Sequence, residues 1–131
     1  KKVFLLLLGK AFEKYGAEID KNQQILLSLS DLAIEAYLSE STLKRTIKNI
    51  NRSSEKDQTD QINMTRLYIY EASQIVQKKS SDVINSIIDL KDQADIYSSV
   101  NDKIKYSKNP NIFALKTKIA DKIISENKYC F

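Results

Sequence analysis

The feature that most constrains the fold is a long stretch, residues 19–50, that contains neither Gly nor Pro. Its apolar residues recur at intervals of three, four or seven, which places them on one face of a helix. The members of this stripe are Ile25, Leu29, Leu32, Ala36, Leu43, Ile47 and Ile50. A second apolar line widens it and consists of Leu26, Ala33 and Tyr37. Because so broad an arc needs packing partners on more than one side, we predict a long central helix over residues 19–51.

The composition supports long helices elsewhere in the chain. Only 2 Gly and 1 Pro occur in 131 residues, and a sheet protein would need more of both for its turns. Apolar residues make up 42% of the chain, and the length suits a single domain with one core. No strand-like alternation extends over a useful length. We predict an all-α fold, a helical bundle of about five helices built around the long central helix.

The other helices are predicted from the same periodicity. We place the first over residues 2–15, a polar loop over residues 51–60, the third helix over residues 55–79, a fourth segment ending near residue 106 and a last helix over residues 110–127. Gly16 is either the end of the first helix or is tolerated inside a longer one. Ser80 and Ser81 either cap a new helix or lie inside a continuous one. Asn109 is the expected cap of the last helix, with Pro110 at its first position.

The last helix has two open interpretations. Its expected inward residues are Ile112, Phe113, Leu115, Ile119, Ala120, Ile123 and Ile124. Lys118, Lys122 and Ser125 are expected on the opposite side. This pattern is typical of a helix that packs inside a protein, and also of a helix that lies on a membrane surface.

Few residues of this chain are suited to catalysis or metal binding. The absence of His excludes Ser-His and Cys-His nucleophile pairs and most transition-metal sites. A single Cys excludes an internal disulfide and fits a reducing compartment, so we expect a cytoplasmic location. The net charge of +4 is spread along the chain, so no nucleic-acid partner is expected. Asp31 and Glu35 share a helix face. They are either a general acid-base pair or two solvent-exposed acids. Glu71 is expected to pair with Arg66 or Arg45.

The polar residues of the long helix carry a family resemblance. Residues 22–27 read Asn-Gln-Gln-Ile-Leu-Leu, residues 29–37 read Leu-Ser-Asp-Leu-Ala-Ile-Glu-Ala-Tyr, and residues 43–46 read Leu-Lys-Arg-Thr. This ordered set resembles the C-terminal region of acyl-CoA dehydrogenases of the very-long-chain type, with bacterial members the most similar. The matched positions that we single out as motif residues are Gln23, Asp31, Tyr37 and Arg45.

The resemblance implies a parent enzyme in fatty acid metabolism. Such an enzyme oxidises acyl-CoA thioesters with FAD, passes electrons to an electron-transferring flavoprotein and forms a homodimer. Its catalytic Glu and its flavin contacts lie in an upstream dehydrogenase core, so we assign no catalytic, cofactor-binding or metal-binding role to any residue here. Gln23, Asp31, Tyr37 and Arg45 are expected to be structural. Membrane attachment lies outside the matched stretch of the family, and we do not extend it to this chain.

Two functions therefore follow from the sequence. In the first, residues 1–131 form a single non-catalytic C-terminal domain of a larger acyl-CoA dehydrogenase and support its core and subunit interface. In the alternative, the chain is a free-standing helical module that binds a partner protein or a membrane surface through the lysines of its last helix.

Overall fold

The computed structural model describes residues 1–52, 58–105 and 110–127. Within these ranges the chain forms five α-helices, a short 3-10 helix and no strand. The helices are α1 (Lys2–Tyr15), α2 (Gln23–Arg52), α3 (Gln58–Ile87), α4 (Leu90–Ile104) and α5 (Ile112–Glu126). The all-α fold class and the number of helices are confirmed. Two of the helices, α2 and α3, are equally long at 30 residues each.

The long central helix begins later than residue 19, so this predicted boundary is wrong. Gly16 ends α1 with a φ of 53°, a left-handed value that glycine adopts without strain. A 3-10 helix, Gly16–Lys21, follows, and the Asn22 amide donates to the Ile19 carbonyl at 3.0 Å. The amides of Ile25 and Leu26 then donate to the Asn22 carbonyl, which starts α2. The positive φ at Gly16 thus inserts a change of direction before the long helix.

Helix α3 is continuous through Ser80 and Ser81, which settles the question left open by the sequence. The Ser81 hydroxyl donates to the Gln77 carbonyl at 3.0 Å, and the Ser86 hydroxyl donates to the Asp82 carbonyl at 2.7 Å. Bonds of this kind to the carbonyl four residues earlier let serine remain inside a helix. Part of the predicted loop over residues 51–60 is helical, because α2 extends to Arg52 and α3 includes residues 58–60.

Helix α5 begins two residues later than predicted. Its N-cap is Asn111, whose side-chain oxygen accepts a hydrogen bond from the Ala114 amide at 3.0 Å. Pro110 therefore precedes the cap and is not the first helical residue. Asn can cap a helix as well as any residue, and the Asn at position 111 fills this role. The other predicted cap, Asn109, lies outside the described residues.

The chain divides into two compact units. Unit 1 consists of Lys1–Tyr37 and Ala72–Lys105, and unit 2 consists of Leu38–Glu71 and the described part of Tyr106–Phe131. The apolar core of unit 1 is built by four helices. Its buried members are Val3, Leu7 and Ala11 of α1, Leu29 and Leu32 of α2, Val83, Ile84 and Ile87 of α3, and Val100 of α4. The first half of the predicted apolar stripe of α2 therefore packs as expected.

Unit 2 is built differently. Its buried described residues, Thr46, Asn63 and Thr65, are all polar. Leu43 and Ile47, which belong to the predicted stripe, are 44% and 48% exposed. The expectation that they are buried is wrong, because Thr46 lies beside them on α2 and contacts α3 instead. Its hydroxyl is hydrogen-bonded to that of Thr65 at 2.6 Å.

Helix α5 packs within unit 2 through one half-buried face, formed by Ile112, Leu115, Ile119 and Lys122. Phe113 and Ile124, which were expected inward, are 85% and 75% exposed. The expected placement of Lys122 opposite the packed face is also wrong. Its amino group lies 2.7 Å from the Asp60 carboxylate of α3, and its side chain is only 21% exposed. An ion pair therefore takes the place of an apolar contact at this point.

Candidate functional site

The four motif residues lie along α2 and do not gather into one site. Gln23 and Arg45 are 22 positions apart, which is about 33 Å along a helix axis. Gln23 lies exposed at the first position of α2, Tyr37 is 69% exposed, and Arg45 is exposed in unit 2. Asp31 is the motif residue that forms an ion pair with another helix.

The Asp31 pair joins α2 to α3 within unit 1. The Asp31 carboxylate lies 2.6 Å from the Lys79 amino group, and the two side chains are 41% and 32% exposed. Two interactions with Asp31 raise the pKa of Lys79 above its ordinary value, namely a hydrogen bond, which has the larger effect, and charge attraction. A half-exposed carboxylate that is paired with a lysine does not provide the dry cleft that acid-base chemistry with Glu35 would need.

Other acidic residues are also used in ion pairs. Glu71 pairs with Lys116 of α5 at 2.7 Å, and not with Arg66 or Arg45 as the sequence suggested. In the described parts of the chain, no three Cys, Asp or Glu side chains come together in a group that could hold a metal ion.

A surface groove is found in each unit. The groove of unit 1 has a volume of about 680 Å³ and lies between residues 21–28 and residues 82–86, with Lys21 and Asp82 both in its lining. The groove of unit 2 has a volume of about 850 Å³ and lies between residues 38–52 of α2 and residues 61–68 of α3. We call the second one the basic groove, because Arg45, Lys48 and Arg52 line it.

Three helices have an exposed apolar face besides the face that packs. On α1, Leu5 and Phe12 are 62% and 52% exposed, and their spacing of seven places them on one side of the helix. On α2, the corresponding residues are Leu27, Ile34 and Leu38, at spacings of seven and four. On α5 they are Phe113, Ala120 and Ile124. The sequence contained this signal as second sets of helically spaced apolar residues. The prediction assigned no role to those of α1 and α2, and it placed those of α5 in the interior.

Residues 1–101, which span α1 to most of α4, match the family described as acyl-CoA dehydrogenase, C-terminal domain. The chain belongs to this acyl-CoA dehydrogenase family. The resemblance read from residues of α2 is thereby confirmed at the level of the family.

Individual relatives of this acyl-CoA dehydrogenase domain are bacterial. The chain is 33% identical over 72 residues to a probable acyl-CoA dehydrogenase of Bacillus subtilis (strain 168), a match that covers 55% of this chain and 12% of that protein. Its fold is similar to the crystal structure of acyl-CoA dehydrogenase complexed with FAD from Bacillus anthracis, with a TM-score of 0.93 and 25% sequence identity. That match covers 99% of this chain and 23% of the other. The chain thus spans less than a quarter of the length of either relative.

None of the described helices combines the length and the apolar character needed to cross a bilayer.

Proposed function

We propose that residues 1–131 form the C-terminal helical domain of a larger, flavin-dependent acyl-CoA dehydrogenase of the very-long-chain type. In this proposal the domain has no catalytic residues of its own and supports the dehydrogenase core and the subunit interface of a cytoplasmic homodimer. The parent enzyme acts in fatty acid metabolism and passes electrons to an electron-transferring flavoprotein. The family membership and the likeness to an FAD-bound acyl-CoA dehydrogenase support the proposal.

One observation carries the supporting role, namely the exposed apolar faces of α1, α2 and α5. Leu5, Phe12 and Leu27 are more than half exposed, although each lies on a helix that already buries another face. Exposed apolar residues in helical register indicate an interaction surface, since burial of a large apolar side chain contributes about 1.5–3 kcal/mol. The rest of the parent chain is the partner that we propose for these faces.

The grooves of the described residues differ from a flavin site. A site for an organic cofactor is mostly apolar, with few polar groups to orient the ligand. The two grooves described above each have charged side chains in their lining, Lys21 and Asp82 in one and Arg45 and Arg52 in the other. We therefore propose that FAD is held by the upstream core of the parent enzyme.

The motif residues have structural roles in this proposal. Asp31 joins α2 to α3 through Lys79, and Gln23 marks the start of α2 after the 3-10 helix. Tyr37 is 69% exposed, so we propose that it contacts the parent core together with the apolar residues of α2.

The alternative function, a free-standing module that acts through the lysines of α5, has less support. Lys116 and Lys122 are already paired with Glu71 and Asp60 of α3 at 2.7 Å. Two of the lysines that would contact a partner or a membrane are thus used inside unit 2.

The experiment introduces the double substitution Leu5→Gln and Phe12→Gln into the isolated 131-residue chain and into the full parent dehydrogenase. In the isolated chain both side chains are mostly exposed, so we expect its thermal unfolding temperature to change little. In the full parent dehydrogenase we expect a lower unfolding temperature, a smaller fraction of bound flavin and lower activity on long-chain acyl-CoA. Differential scanning fluorimetry and the flavin absorbance measure these effects.

The matched control changes two polar residues of the same helix, Lys2→Gln with Glu13→Gln. Both side chains are exposed, and we expect the parent enzyme with this pair to behave as the wild type. If the Leu5 and Phe12 variant leaves the parent enzyme as stable and as flavin-loaded as the control does, then the α1 face does not support the core.

A further inference from the structure

The basic groove of unit 2 is formed by facing stretches of two helices. Its volume is about 850 Å³, and it is lined by residues 38–52 of α2 and residues 61–68 of α3. A buried hydrogen bond between the hydroxyls of Thr46 and Thr65, 2.6 Å long, lies in its lining. Nearby, the Asn49 amide donates to the Gln61 side-chain oxygen at 3.3 Å. The two walls are therefore held together by side-chain hydrogen bonds.

The charges of this groove all have one sign. Arg45, Lys48 and Arg52 follow one another at spacings of three and four, so they line one side of α2. Among the described residues, no Asp or Glu is present in the lining. The hydroxyl groups of Ser41 and Thr42 supply further hydrogen-bonding groups.

Three described carboxylates of unit 2 are paired with lysines outside the groove. Glu40 pairs with Lys44, Asp60 with Lys122, and Glu71 with Lys116, each at 2.7 Å. Arg45, Lys48 and Arg52 form no ion pair with any residue in the described ranges. Three like charges within two turns repel one another, which is an unfavourable arrangement that a bound anion would relieve.

We infer that the basic groove binds phosphate groups, carried by a soluble phosphorylated compound or by a lipid headgroup. Two of the three cations are arginines, whose planar guanidinium groups bind phosphate oxygens in pairs. Lys48 adds a third charge between them, and the hydroxyl groups of the groove can bind further oxygens. The inference concerns unit 2 alone and does not depend on the function proposed above.

The test uses tripolyphosphate as a soluble probe and isothermal titration calorimetry of the 131-residue chain. The wild type should bind the probe, and added salt should weaken the binding because it screens exposed charges. The variant Arg45→Gln, Lys48→Gln, Arg52→Gln should bind about tenfold more weakly or not at all, since charge-assisted hydrogen bonds are the strong ones.

A matched control removes three exposed cations of unit 1, Lys2→Gln, Lys78→Gln and Lys91→Gln. It has the same net charge as the groove variant, and its affinity should stay within about twofold of the wild type because the three lysines lie outside the groove. A second variant, Arg45→Lys with Arg52→Lys, keeps the charge and guards against a loss of folding. It should bind more weakly than the wild type but more tightly than the Gln variant.

A second arm distinguishes the two sources of phosphate. Sedimentation with vesicles of phosphatidylcholine and phosphatidylglycerol, compared with vesicles of phosphatidylcholine alone, tests a lipid headgroup. If the groove variant loses binding to anionic vesicles and the unit 1 control keeps it, the inference is supported with lipid as the source. If the groove variant loses binding to tripolyphosphate and the unit 1 control keeps it, the inference is supported with a soluble source. Equal weakening by the groove variant and the unit 1 control would overturn it, as would a wild type that binds neither probe.

Discussion

Ser80 of α3 is 1% exposed, and its hydroxyl oxygen has no hydrogen-bond partner among the residues that the structure describes. A buried polar atom without a partner costs about 1–3 kcal/mol. We therefore predict that Ser80→Ala raises the free energy of unfolding, by about 1 kcal/mol. Urea unfolding followed by circular dichroism measures the change.

The control for this substitution is Ser81→Ala, one residue further along the same helix. The Ser81 hydroxyl is satisfied by the Gln77 carbonyl, so its removal should change stability by less than about 0.5 kcal/mol. A Ser80→Ala protein that is less stable than the wild type would contradict the prediction and indicate that the hydroxyl does have a partner, such as an internal water.

Lys79 gives the chain a predictable response to alkaline pH. Its hydrogen bond and charge attraction to Asp31 raise its pKa above the ordinary value of 10.5, so the folded state favours the protonated amine. The stabilisation is complete below that ordinary pKa and is lost as the pH rises through the higher pKa of the folded state. We predict that the unfolding temperatures of the wild type and of Lys79→Met differ at neutral pH and converge as Lys79 loses its proton.

Lys78→Met provides the reference for this measurement. Lys78 is exposed and forms no ion pair with a residue in the described ranges, so its variant should keep a constant difference from the wild type across the same pH range. Thermal unfolding from about pH 8 to about pH 12 covers the titration. Parallel curves for Lys79→Met and the wild type would show that the pair with Asp31 does not contribute to stability.

At the level of helices, the sequence predicts the middle of each helix better than its first and last residues. The periodicity of residues 19–50 correctly indicated one long helix, because the spacing of apolar residues reports the face that is buried. Its first residue was misplaced because a 3-10 helix and an α-helix have similar local patterns, and the φ of 53° at Gly16 is not readable from the letter alone. An Asn residue lies on each side of Pro110, so the sequence offers two candidate N-caps for α5. The hydrogen bond from the Ala114 amide to Asn111 identifies the N-cap.

The cap at Asn111 leads to a prediction about α5. Replacement by Ala removes the acceptor for the Ala114 amide and should destabilise the helix start by about 1 kcal/mol. Since α5 has no fully buried residue, we expect the loss to open the helix locally before the rest of the chain unfolds. Amide hydrogen exchange in the first turn of α5 should become about fivefold faster.

The matched variant here is Asn111→Ser, which retains a side-chain oxygen in the capping position. It should exchange nearly as slowly as the wild type, because Ser and Asn are similar N-caps. If the Ser and Ala variants exchange equally fast, the side chain at position 111 does not act as a cap.

Across the whole molecule, the two units differ in what they bury. The buried apolar side chains of unit 1 each contribute about 1.5–3 kcal/mol, whereas the buried described residues of unit 2 are Thr46, Asn63 and Thr65. We predict that residues 38–52 of α2 open at a lower free-energy cost than residues 23–37 of the same helix and therefore exchange their amide hydrogens faster. Hydrogen exchange with mass spectrometry resolves the two halves, and equal protection would contradict the prediction.

The composition of the candidate sites was less predictable than the fold. Arg45 and Lys48 were visible in the sequence, but their common groove depends on α3 lying opposite, and on Glu40, Asp60 and Glu71 pairing elsewhere. Long-range pairs of this kind follow from the packing of helices and leave no periodic trace in the sequence. The exposed apolar faces were visible as residue spacings, yet spacing alone does not tell which of two faces is buried.

The hydroxyl pair of Thr46 and Thr65 has a consequence for how this domain can change during evolution. Both residues are buried, and their hydroxyls are 2.6 Å apart. Replacing either one with Val would leave the other hydroxyl without its partner, at a cost that replacing both together avoids. Substitutions at these two positions are therefore expected to be inherited in pairs. In related domains, two hydroxyl residues or two apolar residues should be found there far more often than one of each.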